Sequence, residues 1–386
     1  MKRILIFNDS LEMGGTEKLL VDLLNHLVAK GCEVTLLLPQ QSEKNVLLSQ
    51  VGSAVKIRYI YASASSRMKR KIGETLMVFY PRLFNWLKGI KASDYDHVIC
   101  FKETFYARIF SKMKVPKLLW IHNILYRRQY EIRSLKERLA VWLNKWQLRT
   151  VQRSYDRFDT VVCVSQAALN AYLDVLHDGK MPKQDIRIIY NAIDLSQITE
   201  KAKEPIVPLP QSRTNFILIT RLSPEKRTDR LLRAADRLKQ DGYDFHVYIL
   251  GEGLDSPEMK QTLQQQGLGE TVSLLGRVDN PFPYILQSNW LLCVSERESF
   301  SLTLLEAMAL KTPVIATDCG GPADIVDGGK YGILVANSGE GVYEGMKSVL
   351  VDPTLSVRYS AHLDEAVVRF DYSGWHRKID ELLSIE

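Results

Sequence analysis

"WLLCVSERESFSLTLLEAMALKTPVIATDCGG", residues 290–321, reads as a strand, a helix and a second strand in succession. The two strand-like runs, 290–294 and 313–317, are apolar at nearly every position, which is typical of parallel strands covered on both faces. Two carboxylates stand in this otherwise apolar segment. Glu298 lies just before the helical pattern and Glu306 about two turns inside it, so the segment predicts a βαβ unit that carries two carboxylates of undecided role.

The same alternation of strands and helices runs along the whole chain. "RILIF" at 3–7 precedes a helical stripe of leucines at 19, 20, 23, 24 and 27, and Gly31 supplies a stop. Further short apolar runs, separated by helical patterns, predict more strands: "EVTLLL", "KIRYIY", "HVICF", "KLLWIH", "TVVCVS", "IRIIYN", "NFILIT", "FHVYIL", "TVSLLG" and "GILV". Strands of this kind separated by helices indicate parallel sheets with helices on both faces.

The chain length and a proline-rich stretch predict two domains. The chain of 386 residues suits two domains of roughly 150 to 200 residues each. A proline-rich stretch, "EPIVPLP" at 204–210, is the best linker candidate. We therefore predict doubly wound α/β domains at 1–195 and 213–365, a linker at 196–212, and a C-terminal helix within 366–386 that returns to the first domain. Two such sheets facing each other would place a cleft at the carboxyl ends of their strands.

Composition excludes several classes of protein. Hydrophobic residues make up 46% and charged residues 25%, which is ordinary globular usage. The five cysteines are odd in number and contain no CxxC pair, which argues against a disulfide framework and against structural zinc and favours buried free thiols. No apolar run approaches ~18 residues, and the start lacks a signal-peptide pattern. We expect a cytoplasmic protein, free in the cytoplasm or on the cytoplasmic face of the inner membrane.

Two glycine-rich or basic turns follow predicted strands. Gly14 and Gly15 in "NDSLEMGGTEK" precede a helix, where backbone N–H groups can approach a phosphate, although such a turn can equally be structural. Arg221 and Lys226 in "TRLSPEK" follow another strand. They could clamp a diphosphate or form a solvated basic turn.

The paired glutamates leave three interpretations open at this point. They could be the acid and base of a glycosidase, acceptors for ligand hydroxyls, or solvated helix residues. Two other patterns are weaker. "GEGLDS" at 251–256 imitates a dinucleotide fingerprint but ends in serine, and "DYD" at 94–96 matches a metal-binding motif but directly precedes a strand, which favours a turn.

The ordered set of motifs resembles a known family. "GGTEK" (14–18), "TRLSPEK" (220–226) and "ERESFSLTLLEAMALKTPVIATDCGGPADIV" (296–326) resemble retaining nucleotide-sugar glycosyltransferases of family four, also called glycosyltransferases group one, which have the GT-B fold. Glu298 and Glu306 match that family's E-x7-E motif. Supporting matches in both predicted domains are "WIHN" (120–123), "VCVSQAA" (162–168), "IIYNAID" (188–194), "ILGEG" (249–253) and "GRVDNPFPYI" (276–285).

The resemblance implies a role for each matched position. Arg221 and Lys226 would stabilise the departing diphosphate, Glu298 would hold hydroxyls of the donor sugar, and His122 would approach that sugar near the reacting centre. Glu306 would bind the ribose. The remaining positions implied to contact the donor, mostly through backbone groups, are Gly14, Gly15, Gly251, Arg277, Val278, Ser299, Phe300, Ser301 and Leu302. Ser301 departs from the family pattern, in which glycine is frequent, and this could alter sugar contacts.

The resemblance also implies partners. It implies a nucleotide diphosphate sugar as donor, UDP-sugar favoured over GDP-sugar, with no metal and no cofactor. It implies a glycan or lipid-linked saccharide as acceptor. An epimerase of the same fold, or a non-catalytic sugar-nucleotide or glycan-binding protein, are alternatives to a transferase.

Positive charge concentrates in the first domain. Residues 67–91 carry seven cations and one anion among aromatic residues, and residues 127–149 carry seven more cations against two glutamates. Such stretches suit an anionic membrane surface or a phosphate-bearing acceptor, or they are helices packed by their aromatics with solvated cations outside. We expect peripheral membrane contact. Without a recognisable motif, nucleic acid is a poor alternative.

Overall fold

The structure, a computed structural model, describes residues 1–62, 67–126 and 135–385. These residues form two compact units. Unit 1 contains residues 1–190 together with 376–386, and unit 2 contains residues 191–375. The stretch predicted as a linker, 196–212, begins inside a short helix of unit 2, α7 (Leu195–Lys201).

Unit 1 is built on a seven-stranded sheet in which every pairing is parallel. Its strands lie in the order β3-β2-β1-β4-β5-β6-β7. They are β1 (Arg3–Phe7), β2 (Glu33–Gln40), β3 (Lys56–Tyr61), β4 (His97–Cys100), β5 (Lys117–Ile121), β6 (Thr160–Cys163) and β7 (Asp185–Ile188). The helices are α1 (Gly15–Ala29), α2 (Arg67–Phe79), α3 (Pro81–Leu87), α4 (Ala107–Ser111), α5 (Leu135–Tyr155) and α6 (Gln166–His177).

Unit 2 repeats this architecture with six parallel strands in the order β10-β9-β8-β11-β12-β13. They are β8 (Thr214–Ile219), β9 (Phe245–Leu250), β10 (Val272–Gly276), β11 (Trp290–Cys293), β12 (Val314–Thr317) and β13 (Ile333–Val335). After α7 come α8 (Thr228–Gln240), α9 (Pro257–Gln265), α10 (Phe282–Leu286), α11 (Leu302–Ala309), α12 (Gly321–Ile325), α13 (Gly339–Val351), α14 (Thr354–Ser360) and α15 (Leu363–Val367). The last helix, α16 (Tyr372–Leu383), begins in unit 2 and ends in unit 1.

The strand and helix patterns of the sequence therefore produce the predicted doubly wound sheets. The central strands are buried on both faces, as Phe216 and Val247 in unit 2 illustrate, because helices cover each side of the sheet. The stop predicted at the end of α1 is also confirmed, since Gly31 follows the helix with φ +75°, the left-handed conformation that ends many helices.

The last helix, α16, packs its second half on α1 within unit 1. His376 Nε2 lies 2.6 Å from Asp22 Oδ2, and His26 Nε2 lies 2.7 Å from Asp380 Oδ1. The two imidazoles stack with their centroids 3.9 Å apart. Residues far apart in sequence thus form a reciprocal pair of His–Asp contacts that attaches the end of the chain to the helix behind Gly14 and Gly15.

All five cysteines are free and buried, as the sequence predicted. Among the residues that the structure describes, no helix is both long and apolar enough to cross a membrane.

Candidate functional site

Each sheet has a topological switch point at its first strand. In unit 2, β8 lies between β9 and β11, so the chain leaves β8 towards one side of the sheet and β11 towards the other. Ligands of open α/β sheets bind where such diverging connections leave a crevice at the carboxyl ends of the strands. The loops after β8 and β11 contain Arg221, Lys226 and Glu298, so topology places three predicted residues at one switch point.

Lys226 and Glu298 form an ion pair at this switch point, between Lys226 Nζ and Glu298 Oε2. Their side chains are 20% and 16% exposed. Ser295 Oγ donates a longer hydrogen bond to the same carboxylate oxygen, at 3.4 Å. Burial disfavours the charge on Lys226, but the adjacent carboxylate outweighs burial and raises the pKa of the ammonium. Lys226 is therefore a fixed cation throughout the neutral range.

Arg221 behaves differently from Lys226. Its side chain is 72% exposed, and its guanidinium lies 3.6 Å from the carboxylate of Glu225 in the same turn. Arg221 lies near enough to Lys226 for its positive charge to oppose the rise in the pKa of the Lys226 ammonium. The structure thus brings the two predicted diphosphate-binding cations to one turn, with Lys226 held on Glu298 and Arg221 extending into solvent.

A second set of contacts fixes this turn against the loop that carries Glu298. Arg227, with φ +49°, donates from Nη1 to Glu296 Oε2 at 2.8 Å. The backbone N–H of Glu296 donates to the Glu225 carbonyl, also at 2.8 Å. Neither Arg227 nor Glu296 was singled out from the sequence, because a charged residue in a polar turn carries no signal of a long-range partner.

Two glycines allow close backbone approaches around the same loops. Gly251, after β9, has φ +137°, and a Cβ there would lie 1.6 Å from the Thr220 carbonyl oxygen. Gly321, at the start of α12, would place a Cβ 2.0 Å from the Ser299 carbonyl oxygen. The Gly321 N–H donates to the Glu298 carbonyl at 2.7 Å. Side chains at these positions would displace the loops that hold Arg221 and Glu298.

Four of the remaining predicted donor residues are consecutive, at positions 299–302. Ser299, Ser301 and Leu302 lie at the start of α11, where, within the part of the chain that the structure describes, no side chain caps the helix. Ser301 Oγ instead contacts Thr303 Oγ1 at 3.0 Å. Phe300 is buried against Phe370, with ring centroids 5.8 Å apart, so its side chain serves the core.

Glu306, Arg277 and Val278 occupy different neighbouring elements. Glu306 is half-buried in α11, between the buried Leu305 and Ala307. Arg277 and Val278 directly follow β10 and are exposed and half-buried, respectively. All three therefore remain accessible in part, as ligand-binding positions require.

Unit 1 has its own switch point between β1 and β4. Gly14 and Gly15 lie in the loop after β1, and α1 begins at Gly15. Glu17 in the first turn of α1 is buried and forms an ion pair with Lys102, whose Nζ lies 3.4 Å from Glu17 Oε1. Lys102 comes from the loop after β4, so an ion pair connects the glycine turn with the neighbouring strand exit.

His122 follows β5 and is 4% exposed. Its ring packs on Phe101 with centroids 4.9 Å apart. Burial, aided by the nearby Lys102 charge, lowers the pKa of His122 to about 3. The imidazole is consequently neutral at physiological pH and cannot act as a positive charge there.

Models of two protein families match the chain. "Glycosyltransferase Family 4" matches residues 13–197, and "Glycosyl transferases group 1" matches residues 199–364. The chain belongs to glycosyltransferase family four. The resemblance drawn from the motifs is thereby confirmed.

Family-four relatives are similar to this chain over part of their length. It is 31% identical over 220 residues to the Campylobacter jejuni N-acetylgalactosamine-N,N'-diacetylbacillosaminyl-diphospho-undecaprenol 4-alpha-N-acetylgalactosaminyltransferase, covering 56% of this chain and 58% of that one. It is 29% identical over 184 residues to the Bacillus anthracis N-acetyl-alpha-D-glucosaminyl L-malate synthase, covering 46% of each. The chain thus spans about half the length of the curated relatives it matches.

The fold agrees with that of solved structures. Anabaena HepE in complex with UDP and glucose superposes with a TM-score of 0.75 over the full length of both chains, at 20% identity. Together with the two parallel sheets, this confirms the predicted GT-B class of two Rossmann-like domains.

Stability should fall with acid because of the buried histidine. Unfolded His122 takes up a proton near pH 6.5, whereas folded His122 does so near pH 3. The unfolded state binds more protons between these values, so the free energy of unfolding rises with pH there and declines as pH falls, by up to about 1.4 kcal/mol per pH unit. His122→Phe should flatten the dependence, measured by urea unfolding between pH 7 and 5.

The exposed His362 provides a matched control for this prediction. His362→Phe should leave the slope of wild type. An equal slope in wild type and His122→Phe would show that folding leaves the pKa of His122 unchanged.

Proposed function

We propose that the chain transfers a sugar, with retention of configuration, from a nucleotide diphosphate sugar to a glycan or lipid-linked saccharide acceptor. The reaction belongs to surface polysaccharide, lipopolysaccharide or other glycoconjugate assembly and requires no metal. The Lys226–Glu298 pair at the unit 2 switch point carries this proposal, because it puts a cation and a hydroxyl acceptor side by side. UDP-sugar is favoured over GDP-sugar.

The cations would act on the leaving group. Glycosyl transfer passes through an oxocarbenium-like state, so stabilising the departing diphosphate lowers the barrier. Lys226 is a fixed cation, and the exposed Arg221 can turn towards a second phosphate oxygen. When diphosphate replaces Glu298 as partner of Lys226, the carboxylate becomes available to accept hydrogen bonds from the donor sugar.

Neighbouring groups would complete donor binding. The uncapped first turn of α11 offers backbone N–H groups, with the positive end of the helix dipole, beside Glu298. Glu306 would accept hydrogen bonds from ribose hydroxyls, and the backbone around Arg277 and Val278 would contact the base. Gly14 and Gly15 would approach the phosphates, and neutral His122 would approach the donor sugar.

The comparisons support the substrate classes. HepE was solved with UDP and glucose, and the Campylobacter relative is named for a diphospho-undecaprenol-linked saccharide. We infer a UDP-sugar donor and a lipid-linked acceptor by analogy with these two proteins.

Exposed apolar side chains of unit 1 support peripheral contact with an anionic membrane at its cytoplasmic face. The segments expected to make this contact were 67–91 and 127–149, of which 127–134 lie outside the described residues. Large exposed side chains in the described part are Met68, Ile72 and Phe79 on α2, Leu83, Trp86 and Leu87 on α3, and Trp142 and Trp146 on α5. Lysine and arginine residues are interspersed with them in sequence, a combination that suits the interface of an anionic bilayer.

UDP should raise the melting temperature in the presence of EDTA. A ligand that binds only the folded state stabilises it by about 2.7 kcal/mol at a concentration of 100 Kd. The measurement is a thermal-shift screen of UDP, GDP, ADP and their sugars. Lys226→Met should diminish the shift, and Lys260→Met, which removes an exposed lysine of α9, should not. If no nucleoside diphosphate stabilised the protein, the proposed function would be abandoned.

Glu298→Gln should reduce sugar transfer while UDP still binds. A lost hydrogen bond to a charged group is equivalent to about 1.5 to 3 kcal/mol, or roughly 10- to 100-fold in turnover. Turnover is followed by incubating UDP-sugars with and without membrane lipid extract. Glu344→Gln, which alters an exposed carboxylate of α13, is the control. Isomerisation of the UDP-sugar without extract would indicate an epimerase, and UDP binding without any turnover would indicate a binding protein.

Vesicles should recruit the protein when they contain phosphatidylglycerol and not when they contain phosphatidylcholine alone. Trp86→Ser and Trp142→Ser should each weaken flotation about tenfold or more, because an aromatic side chain buries about 150 Å² or more at roughly 25 cal/mol per Å². Val351→Ser alters an exposed apolar residue of unit 2 and should have no effect. Equal flotation of all variants would exclude this surface.

A further inference from the structure

Residues Lys102–Thr104, in the loop after β4, contact the exits of two other strands of unit 1, β1 and β5. Lys102 pairs with Glu17 at the start of α1. Thr104 Oγ1 donates to Asp9 Oδ1, after β1, at 3.0 Å. Glu103, between them, reaches the exit of β5. The segment Lys102–Thr104 therefore sets the relative positions of the loops at the unit 1 switch point.

Each carboxylate oxygen of Glu103 accepts one hydrogen bond, and the two donors belong to consecutive residues. The backbone N–H of His122 donates to Oε2 at 2.8 Å, and Asn123 Nδ2 donates to Oε1. Burial raises the pKa of Glu103, while these hydrogen bonds oppose that rise. A carboxylate kept in a partly desolvated position with both oxygens engaged has few geometries available, so it fixes its partners closely.

The hydrogen bond from the His122 N–H is important because His122 is the first residue beyond the end of β5. β5 ends at Ile121, and His122 is the next residue. Beyond the last ladder position, a backbone N–H needs an acceptor from outside the sheet, and an unsatisfied buried N–H is costly. Glu103 supplies that acceptor from the loop after β4, the strand adjacent to β5. The orientation of the His122 peptide therefore depends on the Glu103 side chain.

We propose that Glu103 is a positioning residue for sugar transfer, which acts by aligning His122 and Asn123 at the carboxyl edge of unit 1. This inference rests on the proposed function. It assigns no contact between Glu103 and substrate. A displaced His122 would leave donor binding to unit 2 unchanged and would impair the alignment of reacting groups, in which an error of about 1 Å can reduce turnover about 100-fold.

The test compares three substitutions in the full chain. Glu103→Ala removes both acceptors, and Glu103→Gln keeps the size and one acceptor oxygen, which can receive the His122 N–H. Glu43→Gln alters an exposed carboxylate of unit 1 outside this segment and serves as control. Turnover is measured with UDP-glucose, UDP-galactose, UDP-N-acetylglucosamine and UDP-N-acetylgalactosamine, each with membrane lipid extract. Hydrogen exchange of the peptide that contains His122 reports the local geometry.

We expect Glu103→Ala to lower kcat about 10- to 100-fold with the KM for the nucleotide sugar within about twofold of wild type. Exchange at the His122 amide should accelerate. Glu103→Gln should recover kcat to within about threefold of wild type and restore amide protection.

Four distinct results would overturn the inference. An active wild type with unchanged kcat in Glu103→Ala would remove the positioning role, as would an increase in KM alone. Unchanged His122 exchange in Glu103→Ala would show that the hydrogen bond does not hold the segment. A wild type that neither binds UDP nor turns over any of the four sugars would defeat the proposed function, and this inference with it.

Discussion

Both sheets place their first strand in the interior, and this constraint determines where chemistry can occur. β1 lies between β2 and β4, and β8 lies between β9 and β11. Right-handed connections to strands on opposite sides leave from the same edge, so helices diverge and an opening forms outside the carboxyl ends. In each unit one ion pair joins two loops at this opening, Lys102–Glu17 in unit 1 and Lys226–Glu298 in unit 2, because there the backbone has left the ladder and side chains can meet across strands.

The ion pair in unit 2 combines binding and preorganisation. Glu298 is held by its backbone, which bridges to Gly320, and its side chain holds Lys226 in turn. A partly buried cation without a partner would be destabilising, so the carboxylate stabilises this loop and fixes the position of the Lys226 ammonium. Under the proposed function, exchange of Glu298 for a diphosphate as the partner of Lys226 would require less reorganisation than ordering a solvated lysine. Electrostatic catalysis relies on preorganisation of this form.

The strands and most helices could be predicted from sequence, since uninterrupted apolar runs and 3.6-residue stripes are local signals. Family motifs brought Lys226 and Glu298 to attention, but not their mutual contact, because that depends on the pairing of β8 beside β11. Phe300 lies within the motif, which implied a role for its backbone, and its side chain packs on Phe370, a contact that the motif did not reveal. Glu103 carried no motif at all. The only available signal was a polar triplet, Lys102–Thr104, one residue after the strand "HVIC", which has meaning once β4 and β5 are known to be neighbours.

The two switch points carry complementary charge. In unit 2 the first-strand loop supplies the cations Arg221 and Lys226, and the loop after β11 supplies Glu298. In unit 1 the polarity is reversed. Asp9 and Glu17 follow the first strand, and Lys102 comes from the loop after β4. Cations attract phosphate oxygens, whereas carboxylates accept hydrogen bonds from hydroxyls. The chain thus repeats one topology twice, with cations after the first strand in unit 2 and carboxylates after the first strand in unit 1.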